Sequence, residues 1–244
     1  MNWFEIKAKS NVPEIYILDA ISSDRGIGAK NFINQLHSLG NVGEIDLYIN
    51  SPGGSVFEGA AIYNALKNHK AKINVHVYGL AASIASLIAM SGDVVTMPAN
   101  TMLMIHNPAG GALGESKDMR SMADTLDKIR QSMVTSYTTK SGLSENKVIQ
   151  MMDDETWLTA QEAYELGFAD KITPEQKIAA SFDLSGFSNI PHSISNNSNY
   201  NEHDEWRNNP ELRSEFGDDQ DRYLAFKKAN DAGRVKILGG RTNV

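Results

Sequence analysis

A chain of 244 residues with 41% apolar side chains can bury a substantial core, which excludes a disordered protein and allows one large domain with an appendage. Its formal net charge of −7, with no basic run, excludes a nonspecific nucleic-acid binder, because phosphate binding draws on clustered Lys and Arg. The absence of cysteine removes disulfides, zinc fingers and thiol nucleophiles, and fits a reducing compartment.

The opening MNWFEIKAKS lacks the basic start, apolar centre and small-residue cleavage site of a secretory leader, so a cytoplasmic location is expected. Period-2 alternation predicts strands in EIYILDAI (14–21) and EIDLYIN (44–50), and a third in KINVHVYG, ending at Gly79. Between them, GAKNFINQLHSL places Phe32, Ile33, Leu36 and Leu39 at helical spacing, and VFEGAAIYNALKNH does so with Val56, Ala60, Ile62 and Leu66. Strands alternating with helices predict βαβ crossovers and an α/β fold with a mostly parallel sheet. The apolar run from Ile73 to Met90 approaches the length of a membrane span but contains Asn74, His76, Tyr78, Gly79, Ser83 and Ser86. A strand followed by a buried helix explains it better.

DVVTMPA and TMLMIHN are the next two predicted strands, followed by the Gly-rich NPAGGALG and a long polar helix from about Ser116 to Lys140. Met119, Met122, Leu126, Ile129 and Met133 form one narrow stripe on it, which packs either on its own domain or, as a projecting arm, on another subunit. SENKVIQMMDDE and TAQEAYELGFAD read as short helices, each opening on a Ser or Thr suited to an N-cap. Composition changes near residue 181: the Ser/Asn-rich stretch over 181–205 reads as a linker or a loosely held segment. A short extension over 206–244 follows, with a predicted helix from Asp219 to Ala232 ended by Gly233.

Three segments carry chemistry only in combination. INSPGGSVFEG sets Pro52, Gly53 and Gly54 between a strand and a helix, where bare backbone N–H groups can face an anion or the turn can be purely structural. In YGLAASIASLIAMSG, Ser83 stands where a helix begins, as a cap or as a hydroxyl poised where developing negative charge is stabilised. Ser86, one turn on, fits a small packing residue bonded back to a carbonyl. In MLMIHNP, His106 ends an apolar strand, as a structural histidine or as a base. A serine hydroxyl needs a neighbouring base to act as a nucleophile, and histidine is the usual one at neutral pH.

Taken together, YINSPGGSVFEGAAIYNAL, YGLAASIASLIAMSG, MPANTMLMIHNP and TWLTAQEAYELGFADKI, in this order over roughly residues 10 to 175, resemble the Clp-type serine peptidase family. That family comprises the proteolytic subunit of ATP-dependent Clp and tailed-phage relatives that process procapsids. The resemblance implies a Clp/crotonase-type fold with a projecting helical arm. It places the nucleophile on Ser83, the base on His106, and the oxyanion donors on the backbone N–H groups of Gly54 and Ile84. For the third member of the triad, DDETWLTAQEA puts Glu155 where the family carries Asp, with Asp154 as the alternative if the backbone shifts by one residue.

The resemblance further implies a peptide or protein substrate, no metal or organic cofactor, and a ring-forming homo-oligomer. The extension after 181, and no counterpart of the N-terminal loops that dock on an unfoldase, favour a prohead maturation protease of phage type, with a capsid or scaffold partner, acting in a bacterial or phage-infected cytoplasm. The alternatives are a housekeeping Clp-like subunit working with an ATPase and, more distantly, a crotonase-like acyl-CoA enzyme or an inactive assembly subunit. The expected organisation is a peptidase domain over 1–180, the linker over 181–205 and the extension over 206–244.

Overall fold

The computed structural model describes residues 3–8, 12–23, 28–176, 182 and 184–191, all within one compact unit that ends at residue 192. The expected helix at 219–232 and the extension over 206–244 lie outside the described residues, as does most of the expected linker. In chain order the elements are β1 (Phe4–Lys7), β2 (Glu14–Ile17), α1 (Ala29–Ser38), β3 (Glu44–Ser51), α2 (Val56–Lys67), β4 (Lys72–Ala82) and α3 (Ile84–Ala89). There follow β5 (Val94–Pro98), β6 (Met102–Ile105), α4 (Ser116–Ser141), α5 (Glu145–Asp153), β7 (Thr156–Thr159), α6 (Ala160–Glu165) and β8 (Lys171–Thr173).

One eight-stranded sheet runs β1-β2-β3-β4-β5-β8, while β6 pairs with β4 and with β7. The β2–β3, β3–β4, β4–β5, β4–β6 and β5–β8 pairs are parallel, and the β1–β2 and β6–β7 pairs are antiparallel. This is the mostly parallel α/β sheet that alternating strands and helices predict. Period-2 alternation sends Ile15, Ile17, Leu47, Ile49, Val75 and Val77 to the buried face. Tyr16, Tyr48 and His76 alternate with them and stack in a row on the opposite face, at ring spacings of 4.8 and 4.9 Å.

Three strands escape the sequence reading. The four residues of β1 are too few for a clear period, β7 lies between the two segments that read as helix and shares only Thr159 with them, and the three residues of β8 follow the second. The third strand also outruns its expected end: β4 continues past Gly79 to Ala82, because Leu80, Ala81 and Ala82 pair with Met102, Leu103 and Met104 of β6. Glycine weakens a strand without forbidding one, and pairing on β6 overrides it here.

Helix α4 divides in two. Its C-terminal half buries Met133, Val134 and Tyr137, whereas Met119 is exposed and Met122 and Leu126 are only half-buried, so the N-terminal half stands off the core as an arm. Short helices α5 and α6 open on Ser144 and Thr159, whose hydroxyls accept from the N–H groups of Lys147 and Glu162. Both are N-caps of the kind the sequence predicts.

Candidate active site

Pairing of β4 with β6 fixes the site. Ala82 lies opposite Met104, the N–H of Ser83 donates to the Met104 carbonyl at 3.0 Å, and His106 follows two residues later on the same strand end. Residues 23 positions apart are thereby joined side chain to side chain: Ser83 Oγ and His106 Nε2 are 2.7 Å apart. With the ring neutral, the hydroxyl donates to Nε2.

Ser83 precedes α3 but does not cap it through its side chain. Its backbone lies at φ 55°, ψ −128°, which L-residues rarely adopt, and this turns Oγ toward His106 rather than toward the helix N–H groups. A buried relay holds the strained residue. Ser86 Oγ donates to the Ser83 carbonyl at 2.6 Å and lies 2.8 Å from the hydroxyl of Tyr137. Since Ser86 has one proton, already given to the carbonyl, Tyr137 is the donor to Ser86. Burial raises the Tyr137 phenol above its ordinary range and keeps it protonated.

The Pro-Gly-Gly turn lies against the same point. A Cβ on Gly53 would come within 2.6 Å of the Ser83 Cβ, and one on Gly54 within 2.2 Å of the Ile21 carbonyl oxygen. Both glycines have positive φ, 100° and 134°, so conformation and close approach each require glycine here. Ser51 locks the turn: its Oγ donates to the Asp19 carbonyl at 2.7 Å and accepts from the N–H of Gly53 at 3.1 Å. Among the described residues the N–H of Gly54 donates to nothing, and that of Ile84, as the first residue of α3, has no intrahelical acceptor. A Cβ on Gly59 would meet Ile84 Cγ1 at 2.2 Å, so α2 and α3 pack in close contact beneath the site.

The acidic group comes from the other side of β6. The antiparallel ladder pairs Met104 with Trp157 and Ile105 with Thr156; His106 follows the end of β6, and Glu155, in the turn before β7, immediately precedes Thr156. Burial lowers the His106 pKa below the ordinary histidine value, and the charge of Glu155 pulls it back up. Asp153 is engaged elsewhere, bonded to Asn107 Nδ2 at 2.8 Å and to Arg130 Nη2 at 2.6 Å. Asp154 is the C-cap of α5. Glu155 itself has positive φ, 47°, and its Oε1 accepts from the backbone N–H groups of Ser188 and Asn189, each at 2.7 Å, and from Trp157 Nε1 at 3.3 Å.

Ser83 and His106 thus meet directly, Gly53 lies against Ser83, and Glu155 acts on the ring by its charge while its Oε1 is held by Ser188, Asn189 and Trp157. Sequence reasoning missed Ser51, Tyr137 and residues 187–189. For Tyr137 the pattern held the information, since it continues the Met119-to-Met133 stripe by one more step of four. Residues 187–189 carry no periodicity; within the expected linker, Phe182, Leu184 and Phe187 pack beside the site, and Ser188 and Asn189 bond to Glu155. Among the described residues no cluster of His, Asp and Glu is arranged to hold a metal ion, and no helix is long and apolar enough to cross a membrane.

The family model described as Clp protease matches residues 11–176. An ATP-dependent Clp protease proteolytic subunit of Bacteroides fragilis is 37% identical over 131 residues, covering 53% of this chain and 63% of the relative. Proteins of the same description from Pleurastrum terricola and Chlorella vulgaris are each 34% identical, over 54% of this chain and 69% and 66% of theirs. The chain thus spans less than two thirds of the length of the Bacteroides relative it matches.

Proposed function

The chain belongs to the Clp protease family, and from that premise we propose that it is a serine endopeptidase using Ser83, His106 and Glu155. The observation that carries this reading is the 2.7 Å contact between Ser83 Oγ and His106 Nε2. In the proposed reaction Ser83 Oγ attacks the scissile carbonyl while His106 Nε2 takes its proton. The oxyanion is met by the N–H groups of Gly54, which donates to nothing among the described residues, and of Ile84, which has no intrahelical acceptor. His106 returns the proton to the departing amine, and water, activated by the same ring, releases the acyl group from Ser83.

Glu155 orients the ring and stabilises its charged form, as carboxylates do in such triads. What supports Glu155 over Asp154 is that its charge acts on the His106 ring, whereas Asp154 caps α5. Glu155 reaches the imidazole with Oε2, or with Oε1 once Ser188 and Asn189 withdraw. The ring needs to be neutral to accept the proton, and its burial favours that form.

The biological role we assign is prohead maturation, with the chain as a ring-forming homo-oligomer in the cytoplasm of a phage-infected bacterium, recruited to capsid or scaffold protein. Supporting this is the stretch of chain after the family match ends at residue 176, which we assign to targeting rather than to chemistry. On this reading the peptidase domain covers 1–180, with the linker and extension beyond it. The relatives described as ATP-dependent Clp proteolytic subunits favour a second reading, a general degradation subunit fed by an ATPase. Co-expression with capsid protein separates the two: mass spectrometry should find discrete capsid cleavages with the wild type and none with Ser83→Ala. Capsid left intact by an otherwise active enzyme would favour the second.

A further inference from the structure

Beside the Ser83–His106 pair the sheet carries a small apolar face separate from the main core, built on Leu80, Ala82, Met104 and Trp157. It is covered by the chain itself. Phe182, Leu184 and Phe187 pack on it, and the Phe187 ring stands edge-on to His106 and to Trp157, with centroids 5.6 Å from each. Next to that ring, the N–H groups of Ser188 and Asn189 hold Glu155 Oε1, and Asn189 Nδ2 donates to the Asp154 carbonyl at 2.8 Å.

The covering segment is lightly built. Over 184–191 it forms no helix or strand, none of its residues is buried, and a turn bond runs from the Phe187 N–H to the Leu184 carbonyl at 3.0 Å. Segments with few buried contacts open at far lower cost than the sheet beneath them. What it presents is what a peptide presents: an aromatic side chain in an apolar recess and backbone N–H groups on a carboxylate.

We propose that this face is a peptide-binding surface with a subsite for an aromatic side chain, and that Leu184–Asn189 is its internal occupant, which a substrate must displace. The inference rests on reading Ser83 and His106 as the peptidase site. Displacement would do two things at once: empty the recess against His106 and free Glu155 Oε1 to face the ring. An occupant of this kind competes with the substrate, so it raises KM by the inverse of the fraction of time the face stands empty and leaves kcat nearly untouched. A permanent wall of the site would behave oppositely, because its removal would weaken substrate binding.

The test uses the full chain bearing Phe187→Ala and short fluorogenic peptides with Phe or with Ala near the cleaved bond. KM for the Phe peptide should fall about tenfold, with kcat within about twofold, and KM for the Ala peptide should change less. An unchanged or raised KM for the Phe peptide would overturn the proposal. Should Phe187→Ala misfold, Asn189→Asp sets a carboxylate beside Glu155 and should lower KM in the same way, with loss of hydrogen-exchange protection at Ser188 and Asn189.

A binding arm separates this claim from catalysis. A fluorescein-labelled Leu-Ser-Gly-Phe-Ser-Asn peptide should bind Ser83→Ala/Phe187→Ala about tenfold more tightly than Ser83→Ala, by anisotropy, and its Phe-to-Ala analogue should not. That result without any turnover would keep the surface and sink the peptidase reading. Turnover with equal peptide binding would do the reverse.

Discussion

At Ser83 the chain holds a hydroxyl in a conformation that costs on the order of 1–3 kcal/mol and persists only where neighbours over-determine it. The neighbours here are Ser86 and Tyr137, linked in series to the Ser83 carbonyl. Ser86→Ala leaves the buried Tyr137 hydroxyl without its partner and should cost about 1–3 kcal/mol, whereas Tyr137→Phe, which removes only the outer donor, should cost about 1 kcal/mol. The double variant should be more stable than Ser86→Ala alone, since it no longer buries an unpaired hydroxyl. Chemical denaturation of the three variants checks the order; a double variant less stable than either single one would break the relay. Activity should fall several-fold in each.

His106 gives a second test at this scale. Burial disfavours the imidazolium and lowers its pKa, so the neutral base persists to more acid pH than usual. The acid limb of kcat/KM should therefore lie below the ordinary histidine value of about 6.5. Glu155→Gln removes the charge that raises that pKa, so the limb should move further toward acid while kcat falls about 100-fold or more. Asp154→Asn should leave both within about threefold, because the charge that acts on the ring is that of Glu155. A limb moving toward alkaline pH in Glu155→Gln would show that another charge governs the ring.

Among the elements, the β4–β6–β7 ladder brings together residues from three parts of the chain, and only part of it was legible beforehand. Ser83 and His106 could be named because each ends a recognisable apolar run in a motif of fixed order. Glu155 could be named only as one of two neighbours, since the choice depends on the turn between α5 and β7, where Asp154 caps the helix and Glu155 takes positive φ, and local pattern does not specify that turn. The Pro-Gly-Gly turn was legible as a turn, but its contact with Ser83 comes from the sheet and is invisible locally. Gly53→Ala puts a methyl into that contact at positive φ. It should lower kcat/KM by about 100-fold or more through displacement of the nucleophile, with a cooperative thermal transition retained. Near wild-type turnover would mean that the turn does not position Ser83.

For the whole molecule, the half-exposed stripe of α4 and the segment over 184–191 set what each end of the chain can do. The stripe at Met119, Met122 and Leu126 fits the ring-forming homo-oligomer proposed above, since one apolar line without full burial can pack against a second copy. Every residue proposed for catalysis precedes residue 156, and the segment that covers the site ends by 191. A chain stopped after residue 192 should hydrolyse a short peptide within about twofold of the full chain, yet lose selective cleavage of its natural protein substrate. Insoluble or dissociated protein would assign residues 193–244 to the core instead. The periodic part of the chain disclosed the fold, while the covering segment was opaque because its order comes from Trp157, His106 and Glu155 rather than from its own composition.

The claim on which the rest depends is that Ser83 is a nucleophile activated by His106. Reaction of the full chain with a fluorophosphonate, followed by peptide mapping, tests it without knowledge of any substrate. One adduct is expected, on Ser83, abolished by Ser83→Ala and slowed by about 100-fold or more by His106→Ala. An adduct on another serine, or labelling of Ser83 at the same rate without His106, would contradict it.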